Sequence, residues 1–145
     1  PALVRKAAQL LASDRRANIA TLCHPLHALE DWLNPNVVKV VMNGQGHALY
    51  FSRAPIPWKR DGASREAPVL PTGLAYRHIG LYAYRVSALK QFSTLKPATL
   101  ETTAALEQLR ALAAGMVSQV GITRDPPPRV LGTADDLADA ATRSG

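Results

Sequence analysis

Cysteine occurs once in the chain, at Cys23, so an internal disulfide and a cysteine-based zinc cluster are both excluded. Acidic residues are also few: 11 Asp and Glu stand against 17 Lys and Arg, a formal net charge of +6. No apolar run approaches the roughly 18 residues needed to cross a bilayer. The first stretch, "PALVRKAAQLLASDRR", carries charges inside its apolar part, unlike a secretory signal. A soluble, cytoplasmic domain with no membrane partner is expected. Also missing are a G-x-S-x-G nucleophile turn and a glycine-rich phosphate loop of either the G-x-G-x-x-G or the G-K-[ST] type. Cys23 stands beside His24 without a third partner and reads as a buried strand residue. His24 and His27 are three apart, but nothing near them supplies further metal ligands. The positive charge forms no stripe with interleaved aromatics. It is scattered singly or in pairs such as Arg15-Arg16 and Lys59-Arg60, so a nucleic-acid partner is not expected. A few converging cations suit small anions instead, carboxylates or phosphates.

Against these absences, 145 residues with 47% hydrophobic and 19% charged side chains fit one globular domain. Leu3, Ala7, Leu10 and Leu11 recur at helical spacing and predict a helix over 2–13. "ANIATLC" reads as a short strand, and "HPLHALEDWLNPN" as a loop. The β-branched run from Val37 to Met42, the turn "NGQG" and the alternating "HALYFSR" predict a β-hairpin over 36–53 with a four-residue loop. Residues 61–73 have no period and are rich in Gly, Pro, Ala and Ser, which predicts a mobile surface loop. "LAYRHIGLYAYRV" reads as a buried strand, and "SALKQFSTL" as a short helix. "LETTAALEQLRALAAGM" predicts one long helix, with Thr99 as N-cap, Gly115 at the end, and a stripe of Thr102, Leu106, Leu109, Ala113 and Met116. "VSQVGI" is a further strand, "RDPPPR" a stiff connector, and "TADDLADAATR" a last helix capped by Thr133, with Asp135 and Asp136 in its first turn. Mixed α/β is the class these elements give.

The chemically informative set is cationic and polar: Arg53 after the hairpin, Lys59 and Arg60 after "IPW", and the aromatic strand. Alternation places His78, Gly80, Tyr82 and Tyr84 on one face of that strand and Arg77, Ile79, Leu81 and Ala83 on the other. The first face suits a hydroxylated acid: Gly80 leaves room for a ligand beside the backbone, and His and Tyr offer hydrogen bonds. From composition alone, core packing of these aromatics and a solvated helix face for Glu107 and Gln108 remain open alternatives.

Three segments narrow the choice. "NPNVVKVVMNGQGHALYFSRAPIPWKRD", "YRHIGLYAYR" and "LEQLRAL", in this order and at these intervals, closely resemble the C-terminal half of bacterial 3-deoxy-manno-octulosonate (KDO) cytidylyltransferases, and the resemblance covers nearly the whole chain. It implies a C-terminal portion of the three-layer α/β nucleotidyltransferase fold, a mixed sheet with a β-hairpin that joins two copies. It makes 1–145 a single partial domain whose partners are a second copy or a missing N-terminal half. It also implies transfer of CMP from CTP to KDO with release of pyrophosphate, with Mg2+ as cofactor. By the same resemblance Arg53 and Arg60 would hold the sugar carboxylate or phosphates, His78 and Tyr82 would line the sugar pocket, and Glu107 and Gln108 would bond sugar hydroxyls.

The chain also departs from the family. The nucleotide-site segments "PARxxSxRLPGKPL" and "QGDEP" are not in it. Where the family reads "VDTPEDL", with an aspartate on magnesium, this chain reads "VLGTADDL" and places Gly132 at that aspartate. A family glutamate in "LExxExLEQLR" is Ala104 here. The expectation is a chain that does not activate CTP by itself: a cytidylyltransferase fragment or, alternatively, a degenerate paralogue that binds a sugar acid or dimerises.

Overall fold

Alternation within the strands decides which side chains face which layer, and the layers build the site. The computed structural model describes residues 2–124. Its elements are α1 (Ala2–Ser13), β1 (Ile19–Pro25), α2 (Leu29–Leu33), β2 (Lys39–Met42), β3 (Ala48–Ser52), β4 (Tyr76–Tyr84), α3 (Val86–Thr94), α4 (Thr99–Ala104), α5 (Gln108–Ala113) and β5 (Ser118–Ile122). The strands form one mixed sheet in the order β3-β2-β4-β1-β5. β1 pairs parallel with β5 and antiparallel with β4, and β2 pairs antiparallel with β3 and β4.

One face of the sheet is covered by α1. Ala7 packs there with Leu22 and Ile79, joined by Leu3, Leu10, Leu81 and Ala83, as the period of 3.6 on the helix and of 2 on the strands requires. α1 approaches β5 so closely that a Cβ on Gly121 would stand 2.2 Å from Leu10 Cδ1, so any larger residue there would require the Leu10 side chain to move. On the opposite face Cys23, Val40, Phe51, Leu106, Leu109 and Val120 form the main core. Cys23 is fully buried, as the strand reading expected. Burial pushes its thiol up to about 12, so it is inert at neutral pH.

The strands, the hairpin and helices α1 and α3 fall where their patterns placed them, within a few residues. The hairpin closes differently from expectation. Its connection runs over 43–47, because Asn43 organises it: Asn43 Oδ1 accepts the Gln45 and His47 amides at 2.9 and 3.0 Å, and Gly46 takes a positive φ of 78°. Gly46 then offers its carbonyl to the Val120 amide at 2.8 Å, and His47 bridges Gln119, so the hairpin tip curls onto β5. Asp14 locks this curl by accepting a 2.6 Å hydrogen bond from His47 Nε2, which holds its carboxyl below the usual range.

Two further readings are corrected. The stretch read as a loop before the hairpin contains α2, whose Trp32 is fully buried and donates to the Ile56 carbonyl at 3.1 Å. The single long helix is two. Ala105 adopts φ 54°, ψ 45°, breaking the helix between α4 and α5. Thr102 and Ala113, assigned to its buried stripe, are exposed, whereas Leu106, Leu109 and Met116 are buried. The N-cap is Ala98 rather than Thr99; Glu101 Oε2 accepts the Ala98 amide at 3.1 Å. Residues 61–73 contain turns and bends but no helix or strand. The connector, Gly132, and the last helix with Thr133, Asp135 and Asp136 lie outside the described residues.

Candidate functional site

The exposed half of the β4 face opens into a cavity of about 360 Å3 lined by Tyr82, Tyr84, Phe92, Glu107 and Gln108. β4 supplies the two tyrosines, α3 the phenylalanine, and the start of α5 the carboxylate and amide. The rings of His78, Tyr82, Tyr84 and Phe92 follow one another along this face with centroids 5.5, 5.9 and 6.1 Å apart. Burial, helped by the Glu107 charge, raises both tyrosine hydroxyls above their ordinary range, so both stay protonated. The lining therefore pairs flat apolar rings with one carboxylate, one amide and two phenols, a set that can hold several hydroxyls. Gly80 is exposed, and no atom stands within 4 Å of where its Cβ would be, so the strand beside the tyrosines is open as its sequence suggested.

Of the six site residues named from sequence, three line this cavity: Tyr82, Glu107 and Gln108. His78 lies directly behind, buried between Phe51 and Tyr82. Arg53 and Arg60 are elsewhere. Arg60 is almost fully exposed, 4.0 Å from Asp61. Arg53 holds the helix break: its Nε donates to the Ala104 carbonyl at 2.9 Å, Nη2 to Ala105 at 3.1 Å and Nη1 to Pro35 at 3.0 Å. Carbonyls that a continuous helix would have paired internally are thus satisfied by a guanidinium.

Other basic side chains are likewise committed to the scaffold. Arg110 makes a two-pronged contact to Glu101, 2.8 and 2.5 Å, spanning the break, and its guanidinium lies 5.2 Å from the centre of the Phe92 ring. Arg85 donates to the Leu11, Asp14 and Ala17 carbonyls, all at 2.7 Å, closing the C-terminal end of α1. Lys39, fully buried, donates to the carbonyls of Asn34 and Arg53 at 2.9 and 2.6 Å and also to Val37. Burial and then the Arg53 charge lower its ammonium to about 8.

Phe92, Thr21 and the Glu101–Arg110 pair escaped the sequence reading. Thr21 was signalled only as the one hydroxyl in the otherwise apolar run of β1. A larger groove of about 720 Å3, bordered by Lys6, Leu10, Met42, Leu74 and Ile122, is mainly apolar and contains none of the site residues. Among the described residues no group of three or more His, Cys, Asp or Glu side chains is placed to hold a metal ion. The described residues do not fit a magnesium centre.

The mixed sheet with helices on both faces is that of the nucleotidyltransferase fold, as the match to a solved structure shows. The chain superposes with a TM-score of 0.80, at 34% identity over 97% of its length, on 55% of a solved CMP:2-keto-3-deoxy-manno-octonic acid synthetase complexed with CTP. Residues 1–119 match the cytidylyltransferase family model, and the chain belongs to that family. It is 47% identical over 143 residues to a 3-deoxy-manno-octulosonate cytidylyltransferase of Marinobacter nauticus, covering 95% of this chain and 55% of that protein. The corresponding enzyme of Cellvibrio japonicus is 54% identical over 115 residues, 78% of this chain and 45% of that one. The chain thus spans about half the length of the curated relatives it matches. No helix among the described residues is long and apolar enough to cross a membrane.

His78 gives the site a measurable pH signature. Burial lowers its pKa to about 4, whereas an unfolded histidine protonates near 6.5. Between these values the unfolded chain binds the extra proton, so stability is retained above about pH 6.5 and lost on acidification toward pH 4. Urea titrations are expected to show a loss of roughly 2 kcal/mol from His78 between pH 6.5 and 4.5. His78→Gln should remove that part of the slope; an unchanged slope would contradict a buried neutral His78.

Proposed function

We propose that the chain carries the sugar-acid half of a cytidylyltransferase that transfers CMP from CTP to KDO. The observation that carries this reading is the convergence of Tyr82, Glu107 and Gln108, from segments far apart in sequence, on one cavity with His78 behind it. Glu107 and Gln108 accept and donate to sugar hydroxyls, and Tyr82 supplies a phenol and a ring face. Arg53 acts through the corner it holds, while Arg60, exposed and paired only at long range with Asp61, can turn to an anion arriving from outside the pocket. The cytidine triphosphate site and one of the two carboxylates that would hold Mg2+ belong to the other half; the second falls at Gly132 of this chain.

The sheet supports this division. β4 lies in its middle and pairs along its whole length with β1, but with β2 only at Lys39 and Arg77. From Ile79 to Tyr84 its second edge has no strand partner among the described residues, and an unpaired edge is a template for another strand. The missing half of the enzyme completes the sheet there. A second reading, a binding module that no longer catalyses, is favoured by Ala104 and Gly132 standing where the family carries carboxylates.

Titration of the protein with KDO, followed by tyrosine fluorescence, is expected to saturate. Glu107→Ala should weaken binding by about tenfold, the worth of one or two hydrogen bonds, and Arg60→Ala by less. Saturation that is unaffected by Glu107→Ala would refute the assignment of the cavity.

The hairpin is also the proposed contact between two copies. Val37 and Val40 are buried within one copy, whereas Leu49 on edge strand β3 is 61% exposed, an apolar side chain on an unpaired edge. Sedimentation should show a dimer that Leu49→Lys shifts to monomer; a dimer unmoved by the substitution would place the contact elsewhere.

A further inference from the structure

Thr21 lies at the centre of β1 and is fully buried. Three polar atoms surround its hydroxyl: His78 Nε2 at 2.9 Å, the Leu81 carbonyl at 2.8 Å and the Ile79 carbonyl at 3.2 Å. The pairing register explains why both carbonyls reach it. Thr21 stands opposite Tyr82 but Leu22 opposite Ile79, so Gly80 and Leu81 form a bulge in β4, and such a bulge re-aims the backbone around it.

A threonine hydroxyl has one proton to give and can accept others. Carbonyl oxygens only accept. The hydroxyl proton therefore goes to Leu81, the nearer carbonyl, with Ile79 as the alternative. If it went to His78 instead, two carbonyl oxygens would face a hydroxyl oxygen at hydrogen-bond distance with no proton between them. The nitrogen that faces Thr21 is thus the donor, and His78 is Nε2–H. Burial keeps the ring neutral at physiological pH, so Nδ1 carries no proton. Among the described residues no hydrogen bond to Nδ1 is found, and the ring stands against Tyr82, whose side chain lines the cavity.

We propose that Thr21 is a positioning residue that fixes His78 as the Nε2–H tautomer, leaving Nδ1 a pure acceptor that selects a ligand hydroxyl and rejects a carboxylate or phosphate oxygen. The ligand part of this inference rests on the sugar-acid reading of the site; the tautomer does not. A neutral ring that can only accept has no attraction for an anion, so a sugar acid bound beside Tyr82 gains nothing by turning its carboxylate toward His78. Thr21 thereby sets the orientation of the sugar from a position behind the pocket. The same logic governs histidines whose role is fixed by the bond their other nitrogen makes.

The tautomer can be read directly from two-bond proton–nitrogen correlation spectra of the protein labelled with 15N-histidine at pH 7, without ligand. Wild type and Thr21→Ser are expected to show a protonated Nε2 and a bare Nδ1, and Thr21→Val to lose this pattern, since valine cannot accept from Nε2–H. A bare Nε2 in the wild type would overturn the proposal, and needs no variant to fold. With KDO as probe, Thr21→Val should raise Kd by about tenfold while Thr21→Ser stays near wild type. Equal affinity in all three would overturn the selecting role. A protein with the Nε2–H ring that binds no sugar acid would refute the proposed function, and with it the selection, while the tautomer lock stands.

Discussion

The corner between α4 and α5 rests on contacts that reach it from two sides. Arg53, coming from the end of the hairpin, takes the Ala104 and Ala105 carbonyls, and Arg110 reaches back across the break to Glu101. Without them the partly buried Ala104 carbonyl beside the left-handed Ala105 would be left unpaired, a cost of order 1–3 kcal/mol. With them the chain can turn after α4, bury Leu106 and Leu109 in the main core, and present Glu107 and Gln108 to the tyrosines of β4. The pocket depends on this corner, since among the described residues neither the Glu107 nor the Gln108 side chain makes a hydrogen bond that would hold it in place.

The same arginine links the corner to the hairpin. Its third donor takes the Pro35 carbonyl, and its own carbonyl accepts from buried Lys39, so the segment before β2, the end of β3 and the helix corner share one network of charge-assisted hydrogen bonds. Four of the 17 Lys and Arg side chains are used in this way. Arg53, Arg85 and Lys39 donate to backbone carbonyls and Arg110 pairs with the Glu101 carboxylate, whereas Arg60 is exposed to solvent.

The elements with strong periodicity were legible in the sequence. Alternation on β4 separated His78, Tyr82 and Tyr84 from Ile79, Leu81 and Ala83, and the structure keeps that separation even through the bulge, because two extra residues preserve the parity. The helix break was not legible. Thr, Ala, Leu and Glu around Ala105 are ordinary helix residues, and the cause of the break, a guanidinium from fifty residues upstream, leaves no local trace. Reading one helix also hid the Glu101–Arg110 pair: nine positions at 100° each put the two on opposite sides of a continuous helix, and only the turn brings them together. Glu107 and Gln108 were found through resemblance, and a short turn of helix starting at that point is what makes them face the cavity. Thr21 needed three-dimensional neighbours, since its meaning lies in which atoms surround one hydroxyl.

Native-state amide exchange in Arg53→Ala tests the dependence of the pocket on its corner most directly. The Leu106 amide, bonded to the Glu101 carbonyl at 3.1 Å, and the Arg110 amide, bonded to Glu107 at 3.0 Å, report the corner, and the Leu22 amide in β1 reports the sheet. Leu106 and Arg110 are expected to exchange faster by about tenfold or more while Leu22 keeps its protection, the signature of a local opening. Unchanged exchange at the corner, or an equal loss of protection at Leu22, would contradict it.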